Sequence, residues 1–284
     1  MRKIHIDIET YGEQDLPKVG VHKYVQHESF EILMVAYAID DQQVKIADLT
    51  TEPLPQELIC ALNDPAFIKC AHNAAFERLA FNSIGFDIPP SQWECTAVKA
   101  AYCGLPMSLS GVSNALSLAD KGKDKEGKRL IKRFSIPVKP TKANPLRTRN
   151  LPEHYPSEWE DFKAYCVQDV VAEREVDRRL AHVQIPDAER VMYALDQHIN
   201  DTGMFLDLPF IQSAIETDEH FKKLSAAEFT RITGLEKANS HKSVTKWLSD
   251  NLNRPISSCD KASVEAILKS NPPENVKRAL TVRK

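Results

Sequence analysis

The chain has 284 residues, an apolar fraction of 42% and a charged fraction of 27%, values typical of a globular protein with enough residues for a sizeable core. Its net charge of −3 excludes a protein that binds nucleic acid through a uniformly basic surface, although charge can still be concentrated in one segment. No run of 18 apolar residues occurs, so the sequence predicts neither a membrane-spanning helix nor a signal peptide.

Six cysteines are spread along the chain, and none has the CxxC or histidine spacing of a zinc site. The sequence therefore predicts free thiols in a reducing, cytoplasmic setting. They are Cys60, Cys70, Cys95, Cys103, Cys166 and Cys259.

The first half of the chain alternates between strand and helix patterns. Three strands come first, and because no helical pattern separates them we expect antiparallel pairing; they are "KIHIDIE", "EILMVAYAID" and "QQVKIADL". A helix, a fourth strand and three further helices follow in "LPQELICALND", "AFIKCAHN", "AAFERLAFNSIG", "WECTAVKAAYCG" and "LSGVSNALSLAD". This order predicts an α/β fold.

The segment from Lys121 to Arg149 is strongly basic. It has eleven lysines or arginines against two acids, and prolines and glycines interrupt it. We expect it to be mostly loop. Its basic side chains either lie in solvent or contact the phosphates of a nucleic acid.

The rest of the chain has helical patterns. A long helix is predicted to begin at Ser157 as N-cap, with Glu160 completing a capping box. Further helices follow Pro186, so the sequence predicts an α/β domain over residues 1–182 and a helical region over 183–284. The last pattern, "ENVKRALTVRK", has no stop signal, and we expect the natural polypeptide to continue beyond it.

Three short motifs place acids on predicted elements: Asp7–Glu9, Asn73–Glu77 and Tyr165–Asp169. The first pair shares one face of a strand, and the third pair, four residues apart, shares one face of a helix. Each motif alone is equally consistent with solvated surface acids. Together, carboxylates from separate segments are the ligands that hard divalent cations prefer.

In this order, the motifs resemble those of the DEDD superfamily of 3′–5′ exonucleases, in its tyrosine-bearing branch. The sequence departs from the family pattern at Glu77, where the family usually has aspartate. Four further segments resemble bacteriophage-type family A DNA polymerases, from the exonuclease region to the start of the thumb: "EGKRLIKRFSIP", "YCVQDVVAEREV", "ALDQHINDTGMFLD" and "ITGLEKANSHKSVTKWL".

The resemblance implies a ribonuclease H-like mixed sheet flanked by helices and an all-helical C-terminal segment. It implies a 3′–5′ exonuclease domain over 1–182 and a helical connector with a partial thumb over 183–284, with a palm and fingers beyond Lys284. It also implies that the enzyme removes nucleotides from single-stranded DNA 3′ ends, using two Mg²⁺ ions for which Mn²⁺ can substitute.

The resemblance also implies roles for the motif residues. Asp7 would bridge both ions, Glu9 and Asp169 would hold the ion that activates water, and Glu77 would help to hold the ion at the leaving group. Tyr165 would orient the attacking water.

Contacts with the substrate are expected near these motifs. Tyr11 either stacks on a frayed base or is a half-buried turn aromatic, and His72 either approaches the substrate or is a hydrogen-bonded core histidine. The full set of expected contacts is Thr10, Tyr11, His72, Asn73, Phe76, Lys128, Arg129, Lys132 and Arg133.

Two other functions are consistent with the same residues. One is an RNA-trimming exonuclease of the same superfamily, against which the thumb-like segment argues. The other is a silenced exonuclease fold that binds nucleic acid without cleaving it, with Glu77 as the inactivating difference.

The purified chain should not extend a primer on a DNA template. Residues 186–284 offer no second cluster of aspartates for polymerase metals. Template-directed incorporation of labelled nucleotides by the chain would contradict this domain assignment.

Overall fold

Five strands form one mixed sheet in the computed structural model of the protein, which describes residues 2–118, 123–142 and 144–283. The strands are β1 (Arg2–Tyr11), β2 (Glu31–Ile39), β3 (Lys45–Asp48), β4 (Phe67–Ala71) and β5 (Trp93–Cys95). Their order is β3-β2-β1-β4-β5, with β1, β2 and β3 antiparallel and β1, β4 and β5 parallel. This is the ribonuclease H-like order, so the expected fold class and the antiparallel pairing are confirmed.

The chain divides into two compact units, Met1–Gly203 and Met204–Lys284. The first contains the sheet and the helices α1 (Leu16–Val19), α2 (Val21–Val25), α3 (Gln56–Asn63), α4 (Ala75–Ser83), α5 (Thr96–Tyr102), α6 (Leu109–Ala115), α7 (Lys123–Phe134), α8 (Pro156–Arg179) and α9 (Asp187–Thr202). The second contains α10 (Leu208–Thr233), α11 (His241–Leu252), α12 (Lys261–Lys269) and α13 (Glu274–Arg283).

The side chains of β1 alternate between the two faces of the sheet, and each face has its own apolar core. Ile4, Ile6 and Ile8 pack into one core, which the helices α2, α3 and α4 cover. The residues between them point to the other face of the sheet, where α7 and α8 pack on β2 through Leu130 and Phe162. Because side chains of a strand alternate between faces, one apolar series fixes which residues of β1 meet α8.

The second unit is a set of helices around its own apolar core. Its first three helices begin at side-chain N-caps, because Asp207, Ser240 and Asp260 accept hydrogen bonds from backbone N–H groups in the first turn. Gly234, at φ 72°, ends α10 in the left-handed conformation that glycine adopts without steric cost. The all-helical C-terminal segment is therefore confirmed.

The boundary between the units lies later than the sequence predicted, after Gly203 rather than after residue 182. The cause is α9, which the buried Arg78 of α4 holds to the first unit. Its Nη1 and Nη2 donate to the two carboxylate oxygens of Asp201 at 2.7 and 2.8 Å. A bidentate pair of this kind is geometrically specific, and it joins residues far apart in sequence.

Several elements differ from the predictions. The short helices α1 and α2 separate β1 from β2, with Gly20 between them. The strand β5 was predicted as the start of a helix, but its three residues pair in parallel with β4. The predicted cap at Ser157 is wrong, because the N-cap of α8 is Tyr155, two residues earlier, and Pro156 is its first residue, where a missing N–H costs nothing.

The basic segment was predicted to be mostly loop, yet Lys123–Phe134 is the helix α7. Its buried residues are Gly127, Leu130 and Phe134, spaced three and four apart on one face. A glycine in this narrow stripe and lysines or arginines around it conceal the helical pattern. Within the ranges that the structure describes, no helix is long and apolar enough to cross a membrane.

Lys69 in β4 is fully buried. Its Nζ donates to the carbonyl oxygens of Asp64 at 2.9 Å and Phe67 at 3.1 Å, and to Oε1 of Gln92 at 2.8 Å. Burial lowers the pKa of Lys69 to about 8. The lysine thus joins the end of α3, β4 and the turn before β5.

We expect Lys69→Met to destabilise the protein by roughly 1–3 kcal/mol at pH 7, because three buried acceptors lose their donor. Between pH 8 and the ordinary pKa of 10.5, the unfolded chain holds the Lys69 proton that the folded state has lost, so the parent gains stability relative to the variant as pH rises. Urea unfolding of both proteins at pH 7, 8, 9 and 10 measures this difference. A difference that stays constant over this range would contradict the role of Lys69.

Candidate active site

The strand β1 and the helix α8 form a series of polar contacts. Lys3 Nζ lies 2.8 Å from Oδ2 of Asp177, and His5 Nδ1 lies 2.7 Å from Oε2 of Glu173. Every second residue of the strand therefore meets every fourth residue of the helix. The chain directions are opposed, so the series continues toward Asp7 on β1 and Asp169 on α8.

At its next positions the series changes from paired to like charges. Asp7 and Glu9 of β1 lie near Asp169 of α8. Burial raises the pKa of both carboxyl groups, and the negative charge of Asp169 raises both further; the charge of Asp7 also raises the pKa of Glu9. Cys166 donates from Sγ to Oδ2 of Asp7 at 3.4 Å. Among the side chains that the structure describes, no lysine, arginine or histidine pairs with Asp7 or Glu9.

Glu77 of α4 also belongs to this cluster, because its charge and those of Asp7 and Glu9 act on one another. It lies in the first turn of α4, and the turn before it is made by Asn73, whose φ of 70° is left-handed. Asparagine tolerates this conformation better than most residues, which lets β4 lead directly into α4. Glu77 is buried, and its Oε2 has no hydrogen-bond partner among the described residues.

The electrostatics of the cluster follow from burial and mutual repulsion. Burial raises the pKa of Asp7, Glu9 and Glu77 well above their ordinary values, and the negative charges of the neighbouring carboxylates raise them further. Burial also raises the pKa of Tyr165, as do the charge of Asp169 and the hydrogen bond that the Tyr165 hydroxyl donates to it. Asp7, Glu9, Glu77, Tyr165 and Asp169 are thus brought together from β1, α4 and α8.

The donor set has the chemistry of a site for hard divalent cations, which bind carboxylate oxygen. The unpartnered Oε2 of Glu77 and the raised pKa values of Asp7 and Glu9 are consistent with a missing positive charge. However, no group of three or more histidine, cysteine, aspartate or glutamate side chains in the described residues is arranged so that it could hold a metal ion as it stands.

The expected substrate contacts beside the first two motifs lie in different surroundings. Asn73 is exposed, and Phe76 is half-buried with its ring centroid 6.3 Å from that of Tyr24. Thr10 is buried, and its Oγ1 lies 3.2 Å from the Tyr24 hydroxyl. Tyr11 is buried under the Arg149 guanidinium, 3.9 Å from the ring centroid. This favours packing over stacking on a base, although Tyr11 is fully buried at the end of β1 rather than half-buried in a turn.

His72 has protein partners at both ring nitrogens. Its Nδ1 lies 3.0 Å from Oγ1 of Thr96, and its Nε2 lies 2.7 Å from the carbonyl oxygen of Met107. Burial lowers the pKa of His72. These contacts favour the alternative of a hydrogen-bonded structural histidine.

The expected phosphate contacts lie on α7. Lys128, Arg129 and Lys132 are exposed there. Arg129 and Arg133 form ion pairs with Glu158 of α8, at 2.6 and 3.1 Å. Both guanidinium groups are partly exposed and paired, so an anionic strand would compete with Glu158 for them. Lys121, Gly122 and Ala143 of the basic segment lie outside the described residues.

Sequence reasoning missed the residues that support the motifs. Glu173 and Cys166 flank Asp169 on α8, and His5 precedes Asp7 by two residues on β1. A signal was present, because Glu173 continues the spacing of four along the helix from Asp169 and His5 continues the spacing of two along the strand from Asp7, whereas Cys166 lies three residues before Asp169. Only the packing of β1 on α8 makes the two spacings meet.

The sequence is similar to a known polymerase. It is 44% identical, over 285 aligned positions, to a DNA polymerase of Bacillus phage SP02, and the alignment covers 100% of this chain and 44% of that polymerase. The chain is therefore homologous to less than half of a longer protein. No protein-family model matches the chain.

Solved structures with a similar fold include the polymerase domain of Pol1 from M. smegmatis in complex with DNA primer-template and dNTP. The TM-score is 0.51 at 13% identity, over 99% of this chain and 44% of that chain, so the likeness concerns the fold alone. A weaker similarity, with a TM-score of 0.38 at 16% identity, covers 69% of this chain and 80% of the apo form of a nuclease.

In a chelating buffer, Asp7→Asn should stabilise the protein at pH 7 by on the order of 1 kcal/mol, because it removes one of the repelling carboxylates. Since the fold raises the pKa of Asp7, the folded parent binds more protons than the unfolded chain above the ordinary pKa, and its stability falls as pH rises. The variant should show a shallower fall. Urea unfolding with EDTA from pH 5 to 8 measures both slopes.

Asp41→Asn, in the exposed turn after β2, is the matched control because it removes an equal charge outside the cluster. Equal pH slopes for the parent and Asp7→Asn would contradict the repulsive cluster.

Proposed function

We propose that the first unit is a 3′–5′ exodeoxyribonuclease of the proofreading type, which depends on two divalent cations. The observation that carries this proposal is the convergence of Asp7, Glu9, Glu77 and Asp169 from three separate elements, with the Tyr165 hydroxyl bonded to one of them. The similarity to a phage DNA polymerase supports DNA as the substrate.

The residues that would hold the cations are Asp7, Glu9, Glu77 and Asp169. Two Mg²⁺ ions, or Mn²⁺ in their place, would supply neutralisation of the charge that develops on the attacking and leaving oxygens of a phosphodiester. Neutralisation would also remove the mutual repulsion of the four carboxylates, so ion binding and stability should be linked.

Tyr165 acts as a neutral donor in this proposal. Its raised pKa keeps the hydroxyl protonated at physiological pH, and the nearby negative charge of Asp169 is one cause of that shift. The hydroxyl can hold a water molecule beside the carboxylates. A positioned group of this kind typically contributes about 10²–10⁴-fold to the rate.

The DNA strand would approach the acidic cluster along α7. The exposed basic side chains of α7, Lys128, Arg129 and Lys132, would offset the repulsion between an acidic site and an anionic strand. Asn73 and Phe76 lie at the turn beside Glu77, where they would contact the terminal nucleotide.

A second candidate function is a silenced nuclease fold that binds nucleic acid. It is favoured by the departure from the family pattern at Glu77. Glu77 is the residue to test, because its side chain is longer by one methylene than the aspartate that the family usually has.

For the second unit, we propose a thumb-like role in a longer polymerase, with a palm and fingers segment or subunit as partner. This rests on the thumb-like sequence in residues 232–248 and on the polymerase relative of greater length.

The parent should degrade single-stranded DNA from its 3′ end only when Mg²⁺ or Mn²⁺ is present. Glu77→Ala should be severely impaired, and Glu77→Asp should stay within roughly 10-fold of the parent, about 1.4 kcal/mol in barrier, because a water-mediated ligand tolerates a shift in length. Rates on 5′-labelled DNA and RNA strands at several metal concentrations measure this. Glu175→Ala, a carboxylate on α8 that pairs with Arg178 and Arg179 outside the cluster, is the control.

The alternatives give different results in the same assay. An inactive parent that Glu77→Asp activates would establish the silenced fold. Faster cleavage of RNA than of DNA would favour the RNA-trimming exonuclease, and cleavage by the parent in excess EDTA would contradict the dependence on metal.

A further inference from the structure

The helix α7 is fixed to α8 by aromatic packing. Phe134 places its ring centroid 4.9 Å from that of Trp159 and 5.6 Å from that of Phe162. Arg129 and Arg133 add ion pairs to Glu158 of α8. The C-terminal half of α7 is therefore held at the beginning of α8, and the two helices run in opposite directions.

Gly127 lies seven residues before Phe134 on the same buried face of α7. A Cβ built on Gly127 would lie 2.5 Å from Cζ and 2.8 Å from Oη of Tyr165. Side chains essentially never approach so closely, so any residue other than glycine must displace either α7 or the tyrosine ring. The backbone of Gly127 thus forms the wall against which the ring rests.

Glycine is a poor choice for a helix interior, because alanine loses less backbone entropy there. Helix formation alone would favour alanine in α7. A close approach of the backbone to another group is the usual reason for a glycine at such a position, and here that group is the ring and hydroxyl of Tyr165.

We propose that Gly127 is a positioning residue that sets the location of the Tyr165 hydroxyl in the acidic cluster. This inference rests on the proposed nuclease function for its catalytic consequence, but not for its geometry. The basic helix is then more than a surface for phosphates, because its backbone also fixes the group that would hold the attacking water.

The tyrosine, rather than α7, should move when Gly127 is substituted. The helix is held by the buried side chains of Leu130 and Phe134, whereas Tyr165 is a single side chain that can turn about its own bonds. Its ring is only partly buried at the edge of the core. Displacement of a positioned group by about 1 Å can reduce a rate about 10²-fold.

Gly127→Ala in the full chain should reduce kcat on single-stranded DNA roughly 10- to 100-fold with little change in KM. Gly111→Ala is the matched control. Gly111 lies in α6, and an added Cβ would be crowded by residues at the start of that helix, 2.6 Å from Oγ of Ser108 and 2.8 Å from Cβ of Pro106. This control should leave kcat unchanged. Equal losses in both variants would overturn the proposal.

A double-mutant cycle separates positioning from general damage. If Gly127 acts through the hydroxyl, Gly127→Ala should cause no further loss in a Tyr165→Phe protein. The same loss in both backgrounds would overturn the proposal. Should Gly127→Ala fail to fold, adding Tyr165→Ala should restore folding by removing the ring, and failure of that double variant to fold would also overturn it.

A crystal structure of the Gly127→Ala protein tests the geometry independently of activity. A displaced Tyr165 hydroxyl supports the positioning role even if the parent proves inactive, in which case only the proposed function fails. A Tyr165 that keeps its place while α7 shifts would overturn the inference.

Discussion

The packing of β1 on α8 is the constraint on which the candidate site depends. A strand repeats every two residues and a helix nearly every four, and in this fold the two repeats coincide over the series that begins with Lys3 and Asp177 and passes through His5 and Glu173. At one end opposite charges meet, and at the other end carboxylates meet carboxylates. The same contact therefore both joins the scaffold and creates the acidic cluster.

The contacts of Lys3 with Asp177 and of His5 with Glu173 fix the positions of the acidic residues farther along β1 and α8. Removing one partner of a buried hydrogen bond costs about 1–3 kcal/mol, because the other partner is left unsatisfied. The pair of His5 with Glu173 thus holds β1 and α8 in register. Carboxylates presented by such rigid elements are positioned more accurately than those on loops.

The helix α7 illustrates how a functional segment can contradict its own local sequence pattern. Lysines and arginines dominate it, and its interior Gly127 opposes helix formation. Its stability comes instead from packing of Leu130 and Phe134 on α8. Such local conflicts are expected where a sequence serves function as well as folding, and here the conflict lies beside Tyr165.

The sequence by itself determined the α/β class, the antiparallel start of the sheet and the helical second unit, because alternation and helical spacing are local properties that the chain carries everywhere. The five residues of the acidic cluster were predicted from the resemblance to the exonuclease motifs, and their role stays a prediction. Tertiary structure alone decided that β5 is a strand, that α7 is a helix and that α9 belongs to the first unit. Each of these depends on a partner distant in sequence: β4 for β5, α8 for α7, and Arg78 for α9. The place of Gly127 against Tyr165 likewise exists only when two helices pack, and no local pattern encodes it.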